Sequence, residues 1–249
     1  MLTFFLRATT DTLPSLTNQV VWKQIEDPMC PLCQEGAASL RHVLSSCKKA
    51  LTEHRYTWRH NQVLKVICKH LEYTLQGNSR KVPVKTRTFI QFRKEGEASR
   101  TTRKPISNCL DEANDWTLQS DLSTRLVFPQ DICSTNLRPD ILVTSQSAKS
   151  ILLIELTVPW EDRLEEVHEL KMSKYEAIVT ESRKKNWRAQ VFAVEVGCRG
   201  FPGKSLAWML KKIGIPSLQR KKVIREISEE ATRCSRWIWL QRSSPWLPQ

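Results

Sequence analysis

The sequence predicts an α/β protein in which helices flank a mixed sheet, preceded by a small zinc-binding unit and a helix. Three observations predict this architecture. Residues 138–161 contain two apolar strands joined by a polar turn. A long helical segment and another apolar strand follow them. Nearer the N-terminus, a Cys-x2-Cys pair precedes a His and a further Cys at metal-ligand spacing.

Composition indicates a polyanionic partner. The chain of 249 residues has 39 Lys and Arg against 26 Asp and Glu, a formal net charge of +13. Membrane binding is disfavoured, because no apolar run approaches the length of a transmembrane span. The N-terminal MLTFFLR is too short for a secretory signal, so the eight Cys favour metal ligation over disulfides.

The zinc-binding unit is predicted within residues 26–76, after a mixed N-terminal segment of residues 1–25. Cys30 and Cys33 lie on a tight turn, and His42 and Cys47 follow about one helical turn apart. Two free cysteines with an unrelated histidine are the alternative. Three thiolates and one imidazole suit tetrahedral zinc, and a site with four protein ligands leaves no open position for water. We therefore expect a structural zinc site.

A helix is predicted from residue 48 to residue 76. Its segment HRYTWRH interleaves bases and aromatic residues, so Arg55, Trp58 and Arg59 are predicted to contact nucleic acid. The alternative is a solvated basic face with Trp58 packed on the zinc unit. The histidines of this helix, including His60, are expected to be surface or capping groups rather than ligands.

Residues 77–107 are predicted to be a basic linker. They hold nine Lys or Arg residues and two Glu residues. Such charge runs are usually solvated connectors, and this one is expected to bind phosphates without sequence preference. A second domain is predicted over residues 108–242, opening with a helix at 110–128, and residues 243–249 are expected to be a loose tail.

Two acids mark the predicted hairpin of that domain. Asp140 stands at the start of the first strand, and Glu155 is the single acid in the apolar run 151–158. On paired strands both carboxylates can face the same side, where they would form an oxygen-ligand site for a divalent metal such as Mg²⁺. The alternative is an edge hairpin whose acid pairs with an arginine.

A long helix is predicted from residue 162. Lys171 lies in the middle of its apolar stripe and Lys174 at the rim, next to Tyr175. Completion of an active site with the two acids is one reason for lysines there, and snorkelling to solvent is the other. A strand at 189–198, containing Glu195, and helices at 204–213 and 218–240 are predicted to follow.

The residues of the predicted hairpin and of the following helix resemble the motif of a known protein family. The pattern Arg138-Pro139-Asp140, then Glu155, then Lys171 and Lys174-Tyr175, resembles the restriction-like endonuclease of site-specific non-LTR retrotransposons, a branch of the PD-(D/E)xK nucleases. The zinc-ligand spacing is similar to the knuckle that precedes that nuclease, and the resemblance covers nearly the whole chain. The superfamily usually has a lysine two residues after the second acid, where this chain has Thr157. In the retrotransposon branch the lysine comes from the following helix.

The resemblance implies a restriction-endonuclease-like fold and a nuclease that nicks target DNA in the nucleus, so that the freed end primes reverse transcription. Asp140 and Glu155 would hold Mg²⁺, Lys171 or Lys174 would act on the attacking water or the transition state, and Tyr175 would position that lysine. Arg138 would grip a phosphate.

Further implications concern the parent protein and its partners. The reverse transcriptase domain of the parent polyprotein would be a partner, with residues 1–25 as the remnant that follows it. The zinc unit would hold target DNA or element RNA. Two other classes compete with the nuclease: an inactive nucleic-acid-binding remnant, and a zinc-dependent protein-interaction domain.

Overall fold

The computed structural model describes residues 2–79, 108–122 and 125–248 of the chain. These parts contain seven α-helices and four strands, with a π-helical turn at His42–Ser46 and a 3-10 turn at Glu161–Arg163. The helices are α1 (Leu2–Thr9), α2 (Leu16–Val21), α3 (Lys48–Thr52), α4 (Arg55–Ser79), α5 (Leu164–Lys184), α6 (Lys204–Lys212) and α7 (Ser217–Leu240). The strands are β1 (Thr117–Ser120), β2 (Ile141–Ser145), β3 (Ser150–Thr157) and β4 (Arg188–Glu195).

A four-stranded mixed sheet has the order β1-β2-β3-β4. The β2–β3 hairpin is antiparallel as predicted, while β3 and β4 run parallel. Parallel neighbours need a crossover connection, and α5 supplies it. Seven of the eight residues of β3 are buried, which fits a central strand covered on both faces. The predicted α/β class with a mixed sheet is therefore confirmed.

Two helical layers cover the sheet. Because side chains alternate along a strand, the apolar residues divide between a face that contacts α5 and a face that contacts α4, α6 and α7. The residues facing α5 are Leu142, Ile151, Leu153 and Val191, and those on the other face are Ile141, Val143, Leu152, Ile154, Phe192 and Val194.

The predicted helix over residues 110–128 does not form in the described part of that range, residues 110–122 and 125–128. Residues 117–120 form the edge strand β1, which pairs antiparallel with β2. Asp115 accepts hydrogen bonds from the Ser145 hydroxyl and the Ser147 amide, 2.6 and 2.9 Å away, and so ties this segment to the β2–β3 turn. Residues such as Asn, Asp, Ser and Thr favour such bonds over a helix interior. Backbone pairing with β2 and the Asp115 hydrogen bonds therefore stabilise a strand here in place of the predicted helix.

The zinc unit and the sheet share two long helices. The predicted helix at 48–76 forms, although it breaks between α3 and α4 where His54 has φ of 58°. Residues of α4 pack in the same core as the sheet, and α7 contributes to that core as well as to the one beside Cys30 and Cys47. The linker predicted at 77–107 begins inside α4, and its remainder from residue 80 lies outside the described residues.

The prediction that Arg55 and Arg59 contact nucleic acid is wrong, because both side chains are buried and already hydrogen-bonded. Arg55 donates to the carbonyls of Gln241 and Ser244, at 2.6 and 2.9 Å. Arg59 donates to the Leu44 and Val158 carbonyls and to the Ser235 hydroxyl, at 2.9, 3.1 and 3.0 Å. These guanidinium groups join parts of the chain that are far apart in sequence.

Trp58 is half-buried against the core around the zinc unit, and it lies edge-to-face with Trp246 at a ring distance of 5.3 Å. Trp246 belongs to the tail that was predicted to be loose. The tail instead packs back on the fold, since Leu247 also accepts a hydrogen bond from the Trp237 indole N–H at 2.9 Å. Trp58 therefore fits the packing alternative of the sequence analysis.

We expect Arg59→Met to lower the free energy of unfolding by about 2–4 kcal/mol, because the buried carbonyls of Leu44 and Val158 lose their donor. Urea unfolding followed by circular dichroism measures the change. Lys69→Met removes an exposed cation from the same helix and should alter stability by less than about 0.5 kcal/mol. Equal effects of the two substitutions would contradict a structural role for Arg59.

Candidate functional site

The four residues predicted as zinc ligands come together. The ligand atoms of Cys30, Cys33, His42 and Cys47 all lie within 4.8 Å of one another. Cys30 and Cys33 stand on a turn in which the Cys30 amide donates to the Gly36 carbonyl at 2.8 Å. His42 opens the π-helical turn, and Cys47 precedes α3. Short-range turns thus deliver all four side chains to one point.

Burial and hydrogen bonds shift the pKa values of three of these four side chains. Burial raises the pKa of Cys47 to about 11 and lowers the pKa of His42. Burial also opposes ionisation of Cys33, but hydrogen bonds from the Glu35 backbone and from Cys30 and Cys47 outweigh it and lower its pKa. The Cys33 Sγ and His42 Nε2 atoms are 3.3 Å apart. The group can bind a metal ion, and its three sulfurs and one imidazole nitrogen are consistent with zinc.

We expect the purified chain to hold one zinc ion, and Cys47→Ser to lose it and to melt at a lower temperature, because metal binding contributes to folding. Elemental analysis and a thermal melt with and without a chelator measure both effects. Cys109→Ser is the matched control, since Cys109 lies outside the cluster and contacts Gln190. Full zinc content in the Cys47→Ser chain would contradict the assignment.

The second cluster lies where β2 and β3 meet the N-terminal half of α5. The hairpin register places Ile141 opposite Ile154, and its continuation by one residue would bring Asp140 opposite Glu155. Residues directly opposed on antiparallel strands point to the same side of the sheet. The hairpin therefore forms with the pairing that the two acids require.

Glu155 is the centre of this cluster. Its side chain is 5% exposed, and Lys171 donates to its Oε1 at 2.5 Å, with Lys174 at 3.2 Å from the same atom. Tyr175 donates to Oε2 at 2.7 Å and also lies 2.9 Å from the Arg138 carbonyl. Burial, together with the neighbouring Glu155 and Asp140 carboxylates, raises the pKa of Tyr175. A buried carboxylate is thereby neutralised by three donors from one helix.

Asp140 has a different set of partners. Its Oδ2 accepts from the Leu156 amide at 2.7 Å and lies 3.2 Å from Nε2 of His60, which comes from α4 on the other face of the sheet. Burial disfavours protonation of His60, but the hydrogen bond and charge of Asp140 outweigh it and raise its pKa. Among the described residues, only the four zinc-ligand candidates bring three or more His, Cys, Asp or Glu atoms so close together, and His60, Asp140 and Glu155 do not form such a group.

The structure thus brings Glu155, Lys171, Lys174 and Tyr175 into direct contact, with Asp140 beside them. Arg138 joins through its main chain, and its side chain is exposed. His60 was expected to be a surface or capping group, and the structure instead places it half-buried against Asp140 and the Leu156 carbonyl. The position of His60 in the segment HRYTWRH did not predict its contact with Asp140. The way α4 packs on the end of the sheet decides which residue of α4 reaches Asp140.

A second buried acid, Glu195, does not join this cluster. It accepts from His168 Nδ1 at 3.0 Å and from the Ser205 hydroxyl at 2.5 Å. These residues line a cavity of about 790 Å³ between α5, β4 and α6, with Trp208 at its wall.

No protein-family model matches this chain, and no curated protein matches its sequence. Within the described residues, no helix combines the length and the apolar character needed to cross a membrane. The residues themselves therefore carry the functional argument.

We expect Tyr175→Phe to lower the free energy of unfolding by about 1–2 kcal/mol, because the buried Glu155 Oε2 and the Arg138 carbonyl lose a donor. Chemical unfolding of the variant and the wild type measures the difference. Tyr73→Phe removes the hydroxyl of a tyrosine that is 68% exposed, and it should leave stability nearly unchanged. A Tyr175→Phe chain as stable as the control would contradict the role of this hydroxyl.

Proposed function

We propose that this protein is a metal-dependent DNA endonuclease with a restriction-endonuclease-like core. The observation that carries the proposal is the buried Glu155 carboxylate on β3, held by Lys171 and Lys174 of α5 beside Asp140. An acid in the centre of a sheet costs several kcal/mol unless it is neutralised, and here two lysines from the next helix neutralise it. Acids on adjacent strands with lysines from the next helix suit phosphodiester hydrolysis.

The residues present fit a hard divalent cation in part. Asp140 and Glu155 would hold Mg²⁺, for which carboxylate and carbonyl oxygens are the preferred ligands. The Leu156 carbonyl and Asp140 Oδ2 each lie 3.2 Å from His60 Nε2. Glu155 would have to exchange a lysine contact for the ion, since both of its oxygens have donors here. When bound, the ion would polarise the scissile phosphate and lower the pKa of a bound water.

The lysines provide the remaining charge. The side chains of Lys171 and Lys174 are about one-third exposed and are oriented by the Glu155 carboxylate. Their ammonium groups can therefore contact a phosphate bound at the surface. Positive groups held beforehand near a pentavalent transition state stabilise its charge without reorganisation. Lys171 makes the shorter contact and is our choice for the catalytic lysine, with Tyr175 fixing the carboxylate between them.

Binding of DNA would use charge outside the site. The chain has a net charge of +13, and the exposed Arg138 side chain lies two residues before Asp140 in the sequence. Affinity that comes from phosphate contacts falls steeply with salt. In this proposal the protein nicks target DNA in the nucleus, a reverse transcriptase domain of the parent polyprotein uses the freed end, and the zinc unit helps to hold target DNA or element RNA.

We expect the zinc-loaded chain to nick supercoiled plasmid in the presence of Mg²⁺, and Asp140→Asn and Glu155→Gln to reduce nicking to background. Lys171→Ala should reduce the rate about 10²–10³-fold, the usual loss when one transition-state donor is removed. Gel separation of supercoiled, nicked and linear plasmid measures the rates. Glu176→Gln and Lys184→Ala change exposed residues of the same helix and serve as matched controls.

Equal nicking by the wild type and all variants would indicate a contaminating nuclease and defeat the proposal. Salt-sensitive DNA binding without nicking would instead favour a catalytically inactive nucleic-acid-binding remnant. The observation that favours an inactive remnant is that lysines already neutralise Glu155 in the structure.

A further inference from the structure

His60 reaches the acid site from the side opposite to the lysines. It lies on α4, whose apolar residues pack on the sheet face away from α5. Asp140 precedes β2 by one residue, so it stands at the end of the sheet where both helical layers come close. The His60 side chain is 23% exposed and the Asp140 side chain 20% exposed, which leaves the contact accessible to a small ion.

The His60 Nε2 atom lies between two oxygens. It is 3.2 Å from Asp140 Oδ2 and 3.2 Å from the Leu156 carbonyl oxygen. The Leu156 amide also donates to Asp140 Oδ2 at 2.7 Å, which holds that carboxylate against β3. Both neighbours of Nε2 are acceptors, so Nε2 carries a proton in the metal-free protein.

The spacing of these atoms fits ligands of one cation. Neighbouring ligands of an octahedral ion with bonds of about 2.1 Å are about 3 Å apart. The two separations at Nε2 match that value, and the side chain is also held at its other nitrogen, which is 3.1 Å from Asn61 Oδ1. In the metal-free protein the Nε2 proton lies between Asp140 Oδ2 and the Leu156 carbonyl oxygen. A cation bound by Nε2 and these two oxygens would replace that proton in the space between the three atoms.

We propose that His60 contributes a nitrogen ligand, together with Asp140 Oδ2 and the Leu156 carbonyl, to the divalent cation at the acid site. The proposal rests on the proposed nuclease function, since it concerns the same ion. An imidazole ligand favours Mn²⁺ and the later transition metals over Mg²⁺. The cation takes the place of the Nε2 proton, which leaves to solvent.

The test uses Mn²⁺ as the probe, added to the full-length, zinc-loaded chain so that His42 is already engaged. Pulsed electron paramagnetic resonance detects nitrogen bound directly to Mn²⁺. We expect a ¹⁴N coupling in the wild type that changes to a ¹⁵N coupling after labelling with [¹⁵N]histidine. His60→Gln should remove the coupling and weaken Mn²⁺ binding about 10- to 100-fold.

Two variants locate the effect. Asp140→Asn should abolish this Mn²⁺ site, which places the ion at the acid cluster. His70→Gln is the matched control, because His70 lies on the same helix and pairs with Glu226 Oε2 at 2.7 Å, away from Asp140. It should retain the coupling. The wild-type spectrum with labelled histidine decides the question even if His60→Gln fails to fold.

The outcomes separate this inference from the proposed function. Mn²⁺ that binds in an Asp140-dependent manner without any histidine coupling overturns the role of His60 and leaves the metal site of the nuclease intact. A histidine nitrogen coupling to Mn²⁺ that persists in the folded His60→Gln variant also overturns the role of His60 as a ligand. Absence of any Asp140-dependent Mn²⁺ binding overturns both proposals.

Discussion

The buried carboxylate of Glu155 is the constraint on which the rest of the candidate site depends. It lies on β3, one of the two inner strands of the sheet, between the apolar residues Ile154 and Leu156. A charge in such a position is tolerated only when cations and hydrogen bonds surround it. Lys171, Lys174 and Tyr175 meet that requirement from one helix, and this need sets the rotation of α5 against the sheet.

The same end of the sheet receives a helix from its other face. The α4 helix brings His60 to Asp140 while its next residue towards the N-terminus, Arg59, turns into the interior. A helix turns about 100° per residue, so neighbouring residues of α4 serve different regions. One helix thereby links the core around the zinc unit, the buried arginine contacts and the acid site.

Shared packing couples the Cys30, Cys33, His42 and Cys47 group to the Glu155 cluster. Arg59 holds the Val158 carbonyl, one residue beyond β3, together with the Leu44 carbonyl of the segment between His42 and Cys47. The zinc unit is therefore packed against the strand that carries Glu155, and it is not a separate module on a tether. Loss of a metal ion from the four-ligand group would therefore affect the strand that carries Glu155.

Local sequence determined several features of this protein. Cysteine and histidine spacing predicted the metal-ligand cluster, because short turns deliver those ligands. Apolar runs predicted β2, β3, β4 and the long helices. The lone acid and the lysines at helical spacing predicted that Glu155, Lys171 and Lys174 lie close together, and in the structure they form direct ion pairs. In each case residues near in sequence, or on consecutive elements, make the decisive contact.

Only the tertiary structure decided the remaining features. The β1 edge strand forms because β2 offers a ladder partner and Asp115 anchors the turn, which outweighs the local helical preference of 110–128. The burial of Arg55 and Arg59, the packing of the tail on Trp58 and the approach of His60 to Asp140 each involve a partner 80 or more residues away. Such contacts are set by how whole elements dock, and the periodicity of a single helix carries no information about its distant partner.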